Sequence, residues 1–262
     1  MTRSFLAVTP HATPTRELLA DAARRRGMAV EELSAQGGAA SLRGRDGGHY
    51  YGGPAFAAYV VDDLAVSLLE PTDGWLTELP RTFTGRTVTA ATLAEARALT
   101  GPAFVKPPTD KSFPAAVYPD GRALPDEVVL PPGTTVQIAD VVTWTAEFRL
   151  FVLDGEVRTG SQYATYGRLD ARPLAGHRYE AGALDFAAWL LAAQGESLPS
   201  GVVLDIGLIG ERWAVVEANM AWFSTCYAAD PAAALDVVLR SAGPAGRVSE
   251  RDRPFRRRTR SG

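Results

Sequence analysis

Two hairpins constrain this chain more than any other feature. EFRLFVLDGEVRTGSQY, residues 147–163, turns at Asp154-Gly155, a dipeptide suited to a two-residue hairpin loop. VVLDIGLIGERWAVVEAN, residues 202–219, turns near Gly210 and Glu211. Residues two apart on a strand share a face. The second hairpin therefore ends with Glu217 and Asn219 side by side after an apolar run. Burying the pair without partners would be costly, so solvent or a ligand must meet them.

The rest of the chain supplies an α/β beginning and a mostly antiparallel continuation. SFLAVTP reads as a strand. TPTRELLADAARRRG reads as a helix capped by Thr13, with Pro14 in the first turn and Gly27 as its stop. MAVEEL reads as a second strand, and PAFAAYVVDDLAVSLLE as a helix packed on the unit. TVTAATLAEARAL reads as one helix, because Thr92 and Glu95 match a capping box. AFVKP and TTVQIADVV follow as strands. Helices are expected around ALDFAAWLLAAQG and over DPAAALDVVLRSAG, the latter capped by Asp230 with Pro231 first. The expected organisation is a small α/β unit over 1–85, an α+β unit over 86–245 and a disordered basic tail over 246–262.

Composition narrows the function classes. The 262 residues are 46% hydrophobic and 22% charged, with a net charge of -3. That is an ordinary folded-protein composition and no general invitation to nucleic acid or membrane. The RDRPFRRRTRSG end can be read as a nucleic-acid arm, but a solvated tail is the commoner meaning of such a run. Cys226 is the one cysteine. It excludes an intrachain disulfide, suits a reducing compartment, and reads more readily as a small core side chain than as a nucleophile. The opening apolar run is too short for a signal peptide, and no segment reaches membrane-spanning length. A cytoplasmic protein is expected, and a homodimer is compatible with the sequence.

Four stretches carry candidate chemistry. If the second hairpin pairs around Gly210-Glu211, Asp205 lies across from Glu217. Two close carboxylates repel, and a bound cation relieves them. Asp205, Glu217 and Asn219 then suit Mg2+, although a solvated edge or an arginine-bridged pair fits the same spacing. In AFVKPPTDKSFPAAVY, Lys106 ends an apolar strand and Lys111 follows in a polar loop; they suit a polyphosphate or are surface lysines. In TVQIADVV, the main chain of Gln137, Ile138 and Ala139 could meet a purine edge, and Asp140 a ribose hydroxyl. An ordinary strand with a polar end is the alternative. In EFRLFV, Glu147 and Arg149 share a face, as an anion clamp or a surface pair. Tyr166 and Arg168, in the loop QYATYGRLDARPLAGHRYE, are candidates for holding a substrate carboxylate, and a plain flexible loop reads equally well.

These pieces in this order, FVKP, a hinge strand, E-x-R-x-F-V, D-I-G and E-x-N, resemble the ATP-grasp superfamily. The resemblance runs from about Leu79 to Arg240 and is nearest to the small clade labelled for two arginines and a lysine. It implies a fold in which two α+β subdomains clasp ATP, preceded by a small α/β domain. It implies ATP and Mg2+ as cofactors. Lys106 looks like the lysine on the α and β phosphates. Arg86 stands where many relatives have an earlier phosphate-binding lysine. Arg149 and Lys111 look like the groups facing the transferring phosphate or the acceptor. The implied reaction joins a small-molecule or peptide carboxylate to an amine through an acyl phosphate. One departure stands out: the loop PPTDKSFPAAVY lacks the glycines that many members carry there, which leaves Lys111 and Ser112 as the candidate substitutes.

Overall fold

A computed structural model describes residues 4–34, 38–108 and 112–257. The chain begins with β1 (Phe5–Val8), α1 (Pro14–Arg25), β2 (Ala29–Glu32), β3 (Gly48–Tyr51), α2 (Pro54–Asp63) and β4 (Val66–Leu68). Strands β2-β1-β3 form a parallel sheet in that order. Thr13 caps α1 by accepting the Arg16 N–H, and Pro14 fills the first turn, where no N–H is needed.

A linker carrying two short helices, α3 (Trp75–Glu78) and α4 (Arg81–Thr84), runs from β4 to β5 (Val88–Thr92), which is followed by α5 (Leu93–Arg97), β6 (Ala103–Lys106), β7 (Ala116–Tyr118) and β8 (Thr135–Ala139). These strands make a four-stranded antiparallel sheet, β5-β8-β6-β7. The larger sheet follows: β9 (Trp144–Leu153), β10 (Glu156–Thr165), β11 (Arg168–Pro173), α6 (Glu180–Gln194), β12 (Gly201–Ile209) and β13 (Arg212–Asn219), ordered β11-β10-β9-β12-β13. Helix α7 (Pro231–Ser241) and β14 (Ala242–Pro244) return the chain to the first unit, where β14 pairs with β4. The architecture is α+β, with helices packed on mostly antiparallel sheets.

The large sheet uses its two faces differently. Phe148, Leu150, Leu204 and Ile206 on one face pack against Phe186 and Leu190 of α6 and Trp75 of the linker. On the other face, Phe151 and Val203 pack under α1 and α7. Further along that second face the residues turn polar, and there the sheet looks toward the smaller one. The core of the small sheet is its own, built on Leu93, Val105 and Val136.

Three sequence expectations change. TVTAATLAEARAL is not one helix: Thr92 completes the capping box with Glu95, but a cap marks a beginning, and Val88–Thr92 before it are a strand. PAFAAYVVDDLAVSLLE splits after Asp63, because Ala65 takes a positive φ of 49° and Val66–Leu68 pair with a strand from the far end of the chain. The segment expected to be a disordered tail from residue 246 is packed as far as residue 257. Asp252 and Phe255 are buried there, and Arg257 bonds Glu70 at 2.9 Å.

Candidate active site

One register position carries most of the site. Arg149 on β9 stands opposite Asp205 on β12, and Asp205 stands opposite Glu217 on β13. Paired residues in a sheet project to the same side, so three charges line up across three strands. The β6 strand of the smaller sheet brings Lys106 to the end of this row, where its ammonium pairs with Glu217. Two cavities, about 470 and 390 Å³, meet at this point, and Lys106 and Glu217 line both.

The charges are mutually satisfied. Arg149 donates from Nε to Asp205 Oδ1 at 2.8 Å and from Nη2 to Oδ2 at 2.7 Å, a bidentate pair. Asn219 Nδ2 bridges the two carboxylates, 3.2 Å from Asp205 Oδ2 and 2.9 Å from Glu217 Oε1. Burial pushes the Asp205 carboxyl above the usual carboxylate range, with Arg149 opposing. Burial acts the same way on Glu217, but Lys106 and Asn219 overcome it and hold Glu217 below its ordinary value. Burial works against the Arg149 charge, yet Asp205 more than restores it and the guanidinium stays protonated.

Sequence reasoning missed the aromatic surround. Tyr163 and Tyr227 stack with ring centres 5.2 Å apart, and the Arg149 guanidinium lies 5.7 and 5.3 Å from their centres. Tyr163 donates its hydroxyl to Glu147 Oε2 at 2.9 Å. Burial raises both the Tyr163 hydroxyl and the Glu147 carboxyl. A register shift between Gln162 and Ala164 hides Tyr163 from simple alternation counting. Tyr227 sits at φ 50°, a left-handed conformation that a tyrosine adopts only where its surroundings enforce it.

The 390 Å³ cavity is largely apolar, walled by Leu76, Val88, Phe104, Val142 and Trp144. Trp144 fits against β12 because residue 207 is glycine: a Cβ there would come within 2.7 Å of its ring. Gln137, Ala139 and Asp140 line this cavity, whereas the side chain of Ile138 packs on the small-sheet core. The main chain of Gln137 to Ala139, expected to meet a purine edge, runs inside the small sheet. Strand β8 lies between β5 and β6, so its N–H and C=O groups are spent in the two ladders. The first main chain outside those ladders is at 141–143, with Val141 and Val142 on the same cavity. Asp140 Oδ2 accepts the Thr87 N–H at 2.8 Å.

Arg86 also lines the cavity but is largely occupied. It donates from Nη1 to the carbonyls of Thr84 and Val215 at 3.0 and 2.7 Å, from Nη2 to that of Val216 at 3.2 Å, and lies over Trp144. Burial lowers its pKa to about 10. Its evident work is to tie the linker to β13. Tyr166 and Arg168 lie at the exposed β10–β11 turn and line neither cavity. Lys111 lies outside the described residues.

The oxygen donors suit a magnesium ion that brings phosphate and water as its other ligands. Glu217 and Asn219 both front the 470 Å³ cavity. With its nitrogen between the carboxylates, the Asn219 carboxamide turns its oxygen away from them. Asp205, whose two oxygens both accept from Arg149, lines neither cavity. Among the described residues, no cluster of three His, Cys, Asp or Glu has a metal-holding arrangement.

A family model describing an ATP-grasp domain, family 2 of the clade labelled for two arginines and a lysine, matches residues 83–237. An ATP-grasp RimK domain protein from Sphaerobacter thermophilus DSM 20745 is similar in structure, with a TM-score of 0.58 at 16% identity over 90% of this chain and 100% of that one. N5-carboxyaminoimidazole synthetase from Staphylococcus aureus gives 0.58 at 10% identity, over 93% and 80%. The ATP-grasp ligase PsnB, complexed with a minimal precursor, gives 0.52 at 13%, over 92% and 100%. No curated protein matches the sequence.

Proposed function

The chain belongs to the ATP-grasp domain family, in the second family of the two-arginine, one-lysine clade, and from that premise we propose an ATP-dependent carboxylate–amine ligase that works through an acyl phosphate. The observation that carries the reading is the position of Lys106 and Glu217 on the shared wall of two cavities. A nucleotide in one and an acceptor in the other would meet there.

The apolar 390 Å³ cavity takes the adenine, with main chain at 141–143 facing its edge and Asp140 the ribose. Phosphates run toward Lys106. An acceptor carboxylate in the 470 Å³ cavity attacks the γ-phosphorus; the bond to the β–γ bridging oxygen breaks and ADP leaves. An amine then attacks the acyl carbon and phosphate departs, so the substrates supply both nucleophiles. Lys106 neutralises phosphate charge, and Arg149, held rigid by Asp205, presents a fixed positive field to the reacting groups. Glu217 and Asn219 would hold a magnesium ion, whose chemistry there would be to offset phosphate charge as a Lewis acid. The sequence resemblance assigns Lys111 and Ser112 to the γ-phosphate in the same reading.

The PsnB complex contains a minimal precursor and the synthetase is named for a small molecule, and the test takes in both small molecules and short peptides. A panel of amino acids and short peptides is scored for ADP and phosphate release with Mg2+, with mass spectrometry of the product. Condensation by loss of water between two panel members supports the ligase. A stable phosphorylated acceptor would make the protein a phosphotransferase, and nucleotide binding without ADP release across the panel would make it a binding module.

A further inference from the structure

Gln137 is nearly fully buried, and its two carboxamide ends have unequal fates. Nε2 donates to the Asp73 carbonyl of the linker at 2.9 Å, while Oε1 is buried without a hydrogen-bond partner. A buried acceptor left unpaired is costly enough to ask what donor it awaits. Gln137 lines the nucleotide-side cavity and also a small void of about 20 Å³ beneath it, and Lys106 and Glu217 line both with it.

The nearest candidate donor follows from the sheet. Gln137 on β8 pairs in register with Lys106 on β6, so the two side chains rise from the same face as direct neighbours. Lys106 spends its ammonium on Glu217, the carboxylate assigned to the metal. Once Glu217 turns to a divalent ion, that ammonium loses its protein partner and still has three hydrogens to place.

We propose that the Gln137 carboxamide oxygen takes over the Lys106 ammonium when Glu217 is drawn to the metal, which makes Gln137 the positioning residue for the phosphate-binding lysine. The inference rests on the nucleotide reading of the cleft. It also gives the linker a part in the site, since the amide that steadies Lys106 is held at its other end by Asp73.

The test separates the two ends of the amide. Affinity for ADP and for a non-hydrolysable ATP analogue is measured by calorimetry, with Mg2+, in wild type, Gln137→Glu and Gln137→Leu. Glutamate keeps the acceptor and loses the donor; leucine loses both. Leucine should weaken binding about ten- to a hundredfold, the range for a hydrogen bond to a charged group, while glutamate stays within about threefold of wild type. In a Lys106→Met background the leucine change should add nothing further. Equal losses in the two variants would mean that only the tie to Asp73 matters. Unchanged affinity in Gln137→Leu, or an undiminished effect in the Lys106→Met background, would equally overturn the proposal. If Gln137→Leu does not fold, Gln137→Met enters the same cycle. Should wild type bind no adenine nucleotide, the proposed function falls together with this inference; binding in wild type with any of the overturning patterns removes this inference alone.

Discussion

Arg149 and Asp205 occupy one register position on neighbouring strands and close a two-bond ion pair, 2.8 and 2.7 Å, between them. Their side chains are 12% and 2% exposed, so neither partner has water to fall back on. Removing one partner of such a pair strands a charge, whereas removing both does not. Arg149→Met should cost about 3–5 kcal/mol of unfolding free energy. The double variant Arg149→Met/Asp205→Leu should recover most of it. Urea unfolding of both proteins measures the difference, and equal losses would mean the pair contributes no specific coupling.

Glu217 sits where the metal and the lysine compete. Its side chain is 30% exposed, and its replacement is isosteric, so Glu217→Gln should fold normally. Without the second negative oxygen, the cluster holds a divalent ion poorly. ADP release should fall on the order of a hundredfold or more, while the melting temperature stays within a few degrees. Normal turnover in this variant would remove Glu217 from the metal assignment.

A third expectation concerns acid. His49 on β3 donates Nδ1–H to the Leu239 carbonyl at 2.9 Å. Burial lowers its pKa from the ordinary 6.5; the carbonyls of Leu239 and Ala242 oppose this, and nearby Arg247 adds to the lowering. Folding therefore favours the neutral ring. The resulting stability is present above about pH 6.5 and is lost as pH falls through the lower folded value. From this group alone, wild type should lose up to about 1.4 kcal/mol per pH unit in that window. His49→Gln carries no titrating ring and should show a shallower slope in urea unfolding between about pH 7.5 and 5.5. Matching slopes would place the acid sensitivity elsewhere.

Legibility followed the range of the interactions. Both hairpins could be read because Asp154-Gly155 and the turn at Gly210 act within a few residues. Regular counting from the second turn sets Asp205 opposite Val216; a register shift between Asp205 and Ile206, which the turn does not announce, brings it opposite Glu217. The Arg149–Asp205 pair depends on how β9 meets β12 across α6, which no local pattern states. For the same reason the sequence offered a cation or a bridging arginine between the carboxylates, but not that Arg149 would take one and Lys106 the other. The main chain of Gln137 to Ala139 looked available because the strands on either side of β8 come from distant segments. Tyr227 reaches the site through a positive φ that its neighbours in sequence do not announce.

The C-terminal segment gives the clearest contrast between a local and a tertiary reading. Its arginines suggest a solvated tail, yet Asp252 is 1% exposed and acts as the acceptor for a buried turn. Its Oδ1 accepts the Ser200 N–H at 2.7 Å, and its Oδ2 accepts the hydroxyls of Ser200 at 2.6 Å and Ser249 at 2.9 Å. Ser200 directly precedes β12, the strand that carries Asp205, so this segment helps fix where that strand begins. Asp252→Ala would leave a buried N–H and two hydroxyls without an acceptor. The expected cost is about 3 kcal/mol or more, read by urea unfolding. Deleting everything after Val248 should destabilise at least as much, because it also exposes the site that Phe255 covers. A truncated protein with wild-type stability would show that the segment is the dispensable tail its composition suggests.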